Sequence, residues 1–497
     1  MQTRPVLVFV FTVAAVLLGA GCRLRQSDSL RTPVADADDC ARATVFRVGP
    51  GSDFTRISDA LTHARRIRGE AREFEQARRG ICIDVAAGTY VGTFDPDVLA
   101  ANPQYEAFPL VVDVPGIVLR GATKLALDDH DRPIAVRADA TTLIADPPAV
   151  DGTQPYVLVT TTERHERESV VRSSGNAVRI EGLVLSFARC APGGACNANG
   201  DCPTEGSCAP PGKGTGIWTH LVRDYVVRGN AITGAGSFAI HHSASSGKTV
   251  RNLLTGNSPA GISYQGPTPG PSEVSQNTST HNLLGGMVVV CADGGFALPT
   301  LSQETNLSVV PRPVDGSMNR TDVEIDGNDL SHHAENPDIG FGLRILMFGV
   351  VSFPSGMTDC AVTALDNRIT DNTLGVIVDA GFPYQTRGGV TVDTAWTARF
   401  SGRFERNTVE GSSENALVSL TRFTSTLDCR ELDPGRPTSF RFLRNSTYTI
   451  STDGELASAC YDDRELDPRS GQPLGNELQI DGKPRTGLTC KQVVACN

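Results

Sequence analysis

Thr321-Asp-Val-Glu-Ile-Asp-Gly-Asn328-Asp-Leu330 alternates apolar with polar residues, turns at Gly327-Asn328 and resumes on an apolar residue. Period-two patterning describes a strand with one buried face. Six further segments repeat it around Asn230, Asn257, Asn277, Asn367, Asn407 and Asn445. The residue three before each anchor is apolar: Val227, Leu254, Val274, Ile325, Ala364, Phe404 and Phe442. Two after, Ile232, Leu330, Ile369 and Val409 are branched aliphatics, whereas Pro259, Ser279 and Thr447 are not. Asn tolerates the left-handed backbone of a sharp bend, and stacked asparagines can bond side chain to side chain. The anchors lie 27, 20, 51, 39, 40 and 38 residues apart, the range of solenoids, propellers and arrays. Strand-like units rich in Gly, Asn, Thr and Val argue against helical repeats, and the 20-residue unit is too short for a four-stranded propeller blade. The spacing predicts an all-β parallel β-helix whose longer intervals carry insertions.

Composition agrees with a turn-dense β protein: 50 Gly and 30 Pro in 497 residues, with 39% hydrophobic. The net charge of −11 and the lack of a Lys/Arg block argue against a nucleic-acid partner. With aromatics at 6%, extended sugar-stacking platforms are not abundant.

Residues 1–22 read as an export signal: Arg4 in a positive n-region, an apolar stretch from Val6 to Leu18, then Gly19-Ala-Gly-Cys22. This resembles a bacterial lipoprotein signal, which implies lipidation at Cys22, although the pattern prefers Leu where Gly19 stands. Removing Cys22 from 13 cysteines leaves an even 12, fit for disulfides in an oxidising compartment. Cys190, Cys196, Cys202 and Cys208 fall in a run of Gly, Ala, Asn and Pro without histidine. That spacing is not zinc-like, so disulfides among the four are expected, in any of three pairings.

Residues 23–43 read as a tether. A short strand, Val45–Val48, precedes an amphipathic helix at about 55–68 whose apolar face is Ile57, Ala60, Leu61, Ala64 and Ile67, with Thr55 as N-cap. Such a helix would cap the open end of a solenoid. Coils follow at Ile81–Val85, Phe108–Val112 and Gly116–Gly121. The β-helix is expected over 44–450, with a cysteine-rich insertion at 187–215, a second insertion at 291–320 and a C-terminal cap at 451–497. The order strand, helix, Ile-x-Val-x-x-Gly-Thr-Tyr90, then Phe108-Pro-Leu-x-Val with Pro115-Gly-Ile-x-Leu-x-Gly121, resembles the pectin-lyase-like superfamily. Within it the chain looks most like an uncharacterised family of bacterial exported β-helix lipoproteins. The resemblance implies a single-stranded right-handed parallel β-helix and says little about chemistry.

On this fold, chemistry is expected on the outward faces of stacked strands. Four and two residues before the anchors, Glu273, Glu324 and Asp326 form an expected acidic patch. Arg403, Glu405 and Arg441 form a basic-leaning one two coils away. Carboxylates hold Ca²⁺ and Arg binds a uronate carboxylate bidentately; the plainer reading is a solvated face of cross-strand charge pairs. A second outward column, His241, Ser263, Val288, Arg344, Ile377 and Val418, is mostly small or apolar and reads as non-catalytic. His241-His242 and His332-His333 each offer at most one outward ligand if they lie on strands. The polygalacturonase-like, epimerase-like and pectate-lyase-like signatures of the superfamily are absent as sets.

The expected function is a non-catalytic β-helix, exported and lipid-anchored in the envelope, with the outer membrane as its expected location. It would act as a monomer, without cofactor, and bind a glycan or other envelope component. The alternative is a polysaccharide lyase or hydrolase acting on an acidic polymer, with Ca²⁺ at Glu324 and Asp326 and Arg403 or Arg441 as base or clamp.

Overall fold

A computed structural model describes residues 39–70, 80–147, 154–160, 177–187, 214–292, 319–334, 340–348, 357–380, 397–419, 447–452 and 477–484, less a few single positions, and the pairs 189–190 and 208–209. Three long sheets carry the chain. Sheet A has thirteen strands, running from Thr44–Val48 through Arg223–Arg228, Ser272–Ser275, Asn319–Asp326 and Thr397–Glu405 to Glu477–Ile480 and the antiparallel Lys483–Pro484. Sheet B runs from Gly88–Thr93 to Thr278–Thr280 and continues, through bridges at Asp329, to Arg368–Thr370 and Thr408–Glu410. Sheet C has nine strands, from Leu110–Val112 to Glu414–Ser419. From Arg223 onward each coil visits A, B and C in turn, and neighbouring coils pair in parallel. This is the parallel β-helix that the spacing predicts. Among the described residues no helix is long and apolar enough to cross a membrane.

The A-to-B corner explains the asparagines and corrects two of them. Asn230, Asn252, Asn277, Asn328, Asn367 and Asn407 stack inside the coil, and each of the first five donates from its backbone and its side-chain amide to the next Oδ1 at 2.9–3.1 Å. The residue before each, Gly229, Arg251, Gln276, Gly327, Asp366 and Arg406, has φ between 54° and 64°. The left-handed position therefore precedes the asparagine, which is inward and buried. Asn257 belongs to a second ladder at the B-to-C corner, with Asn282, His333 and Asn372. Asn252 anchors that coil on sheet A, with buried Thr249 three residues before it in place of an aliphatic. Asn445 lies outside the described residues. The strand Thr447–Thr452 pairs Thr452 with Phe404, so Asn445 precedes its strand instead of following it.

The N-terminal helix spans Ile57–Glu70 and buries Ile57, Ala60, Leu61 and Ala64 against the first coils. Its first amides, Ile57 and Ser58, donate to the Glu106 carboxylate at 2.7 and 2.8 Å. A distant carboxylate, not Thr55, thus receives the helix's free N–H groups. Cys40, expected in the tether, is buried and bonded to Cys82. Cys291, expected in the second insertion, is instead in the strand Gly285–Ala292 and bonded across the core to Cys360. Sheet A continues past residue 450 to Ile480, inside the stretch expected as a C-terminal cap. Cys190 and Cys208 are register partners in a two-stranded antiparallel ladder, while Cys196 and Cys202 lie outside the described residues, as do the expected signal at 1–22 and Cys22.

Candidate functional site

Sheet A places the expected charges as the register requires. Glu273 pairs with Glu324, Thr363 follows, then Arg403. In the next outward column Ser275, Asp326, Leu365 and Glu405 stack. The place expected for Arg441 is taken by Ser451, and Arg441 lies outside the described residues. The two patches are brought onto one face but not onto one another, since Thr363 and Leu365 intervene. Their charges are largely spent locally. Glu273 accepts from Lys248 at 2.6 Å and from Ser275 at 2.8 Å. Partial burial raises its pKa, but these two bonds outweigh that and hold it below the usual carboxylate range. Arg403 donates to Glu405 at 2.6 Å, and Arg406 to Asp366. Asp326 is pushed above the usual range by partial burial and then by Asp366 and Glu273.

Glu273, Glu324 and Asp326 do not converge as metal ligands. Among the described residues the group of three that does is Asp128, Asp129 and His130 at a hairpin tip. There Asp128 already accepts from the amides of His130 and Arg132 and from the Arg132 guanidinium.

The outward face of sheet C carries a different arrangement. Trp218, His241 and Ser263 stand in one column, and His220, Ser243 and Gln265 in the next. Alternation fixes their direction: Thr219 and His242 point inward and bond each other at 2.7 Å, and His242 lies between Tyr225 and Tyr264. Trp218 meets His241 edge-on at 4.6 Å, and Phe238 stacks on His241 at 5.2 Å. Trp218 Nε1, His220 Nδ1, His241 Nδ1, Ser243 Oγ and Ser263 Oγ are all buried without a hydrogen-bond partner among the described residues. Burial pushes the His220 pKa down to about 4. Burial, then the neighbouring His220, takes His241 down to about 3. Both imidazoles are neutral at physiological pH. A buried polar group left unpaired costs about 1–3 kcal/mol, so five on three adjacent strands call for a reason.

Sequence reasoning placed His241, Ser263, Val288, Arg344 and Ile377 correctly in this column; Leu417, not Val418, completes it. It missed Trp218, His220, Ser243 and Gln265. The strand Thr215–His220 precedes the first asparagine anchor, so the repeat does not reach it. Of the other histidine pair, His333 is inward: its Nδ1 accepts from the Asn282 amide and its Nε2 donates to the Ser279 carbonyl at 2.9 Å. His332 stacks on His281 at 5.3 Å. Among the described residues neither pair belongs to a group of three converging ligand atoms.

No family model and no curated protein matches the chain. Solved structures do. The A-module of the mannuronan C-5 epimerase AlgE6 from Azotobacter vinelandii is 11% identical, with 86% of each chain covered and a TM-score of 0.35. DFA-IIIase from Arthrobacter chlorophenolicus A6 without its lid is 11% identical, with 88% of this chain and 98% of that chain covered and a TM-score of 0.35. The tailspike gp49 of Acinetobacter baumannii bacteriophage Fri1, a capsular polysaccharide depolymerase, is 9% identical, with 85% and 60% covered and a TM-score of 0.30. Likeness at this level leaves the chemistry of the chain to its own residues.

Proposed function

We propose that the protein is an exported right-handed parallel β-helix that binds a carbohydrate, without catalysis, on the outward face of sheet C. The hand follows from the near-universal right-handed crossover between parallel strands. The observation that carries the function is the set of five buried, unpartnered polar atoms beside Trp218 and Phe238. A sugar matches this set in kind. Its hydroxyls both donate and accept, and its C–H faces pack on aromatic rings. The column pair holds two neutral imidazoles, an indole N–H and two hydroxyls, with no carboxylate or cation on those three strands' outward positions from Trp218 to Gln265. A neutral sugar suits it better than a uronate. Of the residues nominated for a Ca²⁺-assisted lyase, Glu324, Asp326 and Arg403 face outward from sheet A, and Arg403 is bonded to Glu405 there.

Glycan-array and calorimetric binding by the mature protein, with and without Ca²⁺, tests this. Ser263→Ala and Ser243→Ala each remove an unpaired hydroxyl, so the fold is expected to keep or gain stability while sugar binding weakens. Trp218→Phe, which deletes the indole N–H but keeps an aromatic ring, is expected to weaken binding as well. Unchanged binding in all three variants rejects the site. Turnover of a bound polysaccharide, lost in His241→Gln, would replace the binding role with a catalytic one.

We also propose that the chain is tethered to the envelope through lipid on Cys22, on the strength of its signal-like N-terminus and odd cysteine count. Mass spectrometry of the exported protein is expected to find a lipidated Cys22 as first residue. Cleavage elsewhere with an unmodified Cys22 rejects the anchor.

A further inference from the structure

A groove of about 1020 Å³ lies along the A-to-B corner of the early coils, on a different face from the sheet C site. Its floor is the outward column Asp84, Arg120, Glu181 and Arg228, one residue per strand, with Gly121, Gly182 and Gly229 beside it. Gly229 has φ +63° and open space where a Cβ would stand, so the backbone there is bare. One wall is the antiparallel hairpin of Leu125–Leu127 and Pro133–Val136. Its apolar side packs on Val184, Ala231 and Leu253 of sheet B. Arg251 pins its tip through Asp131 at 3.0 Å, so the wall is fixed to the coils.

Five cations line this groove against three carboxylates, in a chain whose net charge is −11. Arg120 is paired with Asp84 at 3.1 Å and Arg251 with Asp131. Lys124, Arg137 and Arg228 have no carboxylate within ion-pair distance among the described residues. Lys124 and Arg137 stand opposite one another on the hairpin, joined by the bond from the Arg137 amide to the Lys124 carbonyl. Arg120 and Arg228 lie two strands apart on the floor, roughly 9.6 Å by strand spacing. Cations strung along a trough, instead of converging on one point, suit an extended ligand carrying an anion at intervals. A guanidinium takes a carboxylate or a sulfate bidentately.

We propose that this groove binds an acidic oligosaccharide, with its carboxylates or sulfates seated by Arg228, Arg137 and Lys124. The site is separate from the one on sheet C and does not depend on it. The test is calorimetric titration of the mature protein with oligogalacturonate, with sulfated dextran oligosaccharides and with neutral dextran. Binding of at least one acidic probe, weakening with salt, and none of neutral dextran is expected. The double variant Arg137→Gln/Arg228→Gln is expected to bind about tenfold more weakly or worse, at unchanged melting temperature, as loss of charge-assisted bonds implies. Arg403→Gln, on sheet A but far along the helix, controls for bulk charge and is expected to bind as the parent does. Equal loss in Arg403→Gln, undiminished binding in the double variant, or no binding of either acid overturns the proposal. Displacement of the sugar by an equal concentration of inorganic phosphate would overturn the oligosaccharide assignment. Trp218→Phe is expected to leave this titration unchanged, which separates the two sites.

Discussion

At the scale of single residues, the inward asparagines tie each coil to the next through buried hydrogen bonds. Asn277 accepts from the amide and the side chain of Asn252 and donates to the Thr249 and Ser275 carbonyls and to Asn328. Asn277→Ala orphans several buried groups at once, so a loss of about 3 kcal/mol or more is expected in denaturant unfolding. Asn277→Asp is expected to be at least as damaging, because it removes the donors and brings a charge into the coil. The buried imidazoles give a signed pH dependence. His220, His241 and His333 are held neutral by burial, with pKa values near 4, 3 and 4 against an ordinary 6.5. Below 6.5 the unfolded chain binds protons that the fold refuses. Their contribution is therefore complete above pH 6.5 and is lost as the pH falls toward 4, on the order of 1 kcal/mol per pH unit for each imidazole. His241→Gln is expected to flatten the melting temperature against pH between 6.5 and 4, relative to the parent chain. An unchanged slope would mean that His241 is protonated within the fold.

At the scale of the strand, alternation sets which substitutions matter. Ile325 and Phe404 are buried within the coil stack, while Glu324 and Arg403, one residue before each, face outward. Ile325→Ala and Phe404→Ala are expected to cost about 2–5 kcal/mol, whereas Glu324→Ala and Arg403→Ala leave the melting temperature unchanged. Comparable losses in both pairs would invert the register. The fold was legible because each corner sets an inward asparagine at a constant distance from a buried strand position. The reading slipped where that rule was met by accident. Leu254 and Asn257 satisfy the offset, whereas Thr249 and Asn252, the true pair, place a polar residue in the core. That core position is polar because Thr249 Oγ1 bonds His242 Nε2 at 2.8 Å inside the coil. The sheet C site was harder to see. Strand Thr215–His220 is buried on both faces, so its pattern lacks the polar-out signal that alternation relies on. Trp218 and His220 become a pair with His241 and Ser243 only through the parallel register, and that register follows from the coil length between them.

At the scale of the molecule, two disulfides sew the stack together among the described residues. Cys291–Cys360 joins sheet C to sheet A across the core, over 69 residues of chain. Cys40–Cys82 closes 42 residues around the N-terminal end. Loops of these lengths stabilise by about 4 kcal/mol each in the chain-entropy account. The double variant Cys291→Ala/Cys360→Ala is expected to unfold at clearly lower denaturant, with the slope of the transition checked for loss of two-state behaviour. An unchanged midpoint would mean that the coils around it close without it. Cys40–Cys82 has a further consequence, which is mechanical. The strand Thr44–Val48 and the helix Ile57–Glu70 both lie inside the covalent loop that it closes. A pull on the N-terminus reaches Cys40 first and crosses through sulfur to Cys82, in the second strand of sheet A. Edge strand and helix are bypassed, so a load applied at the N-terminus would be borne by the ladder between Ile81–Val85 and Ile117–Gly121, and the terminal turns could not be peeled away one by one.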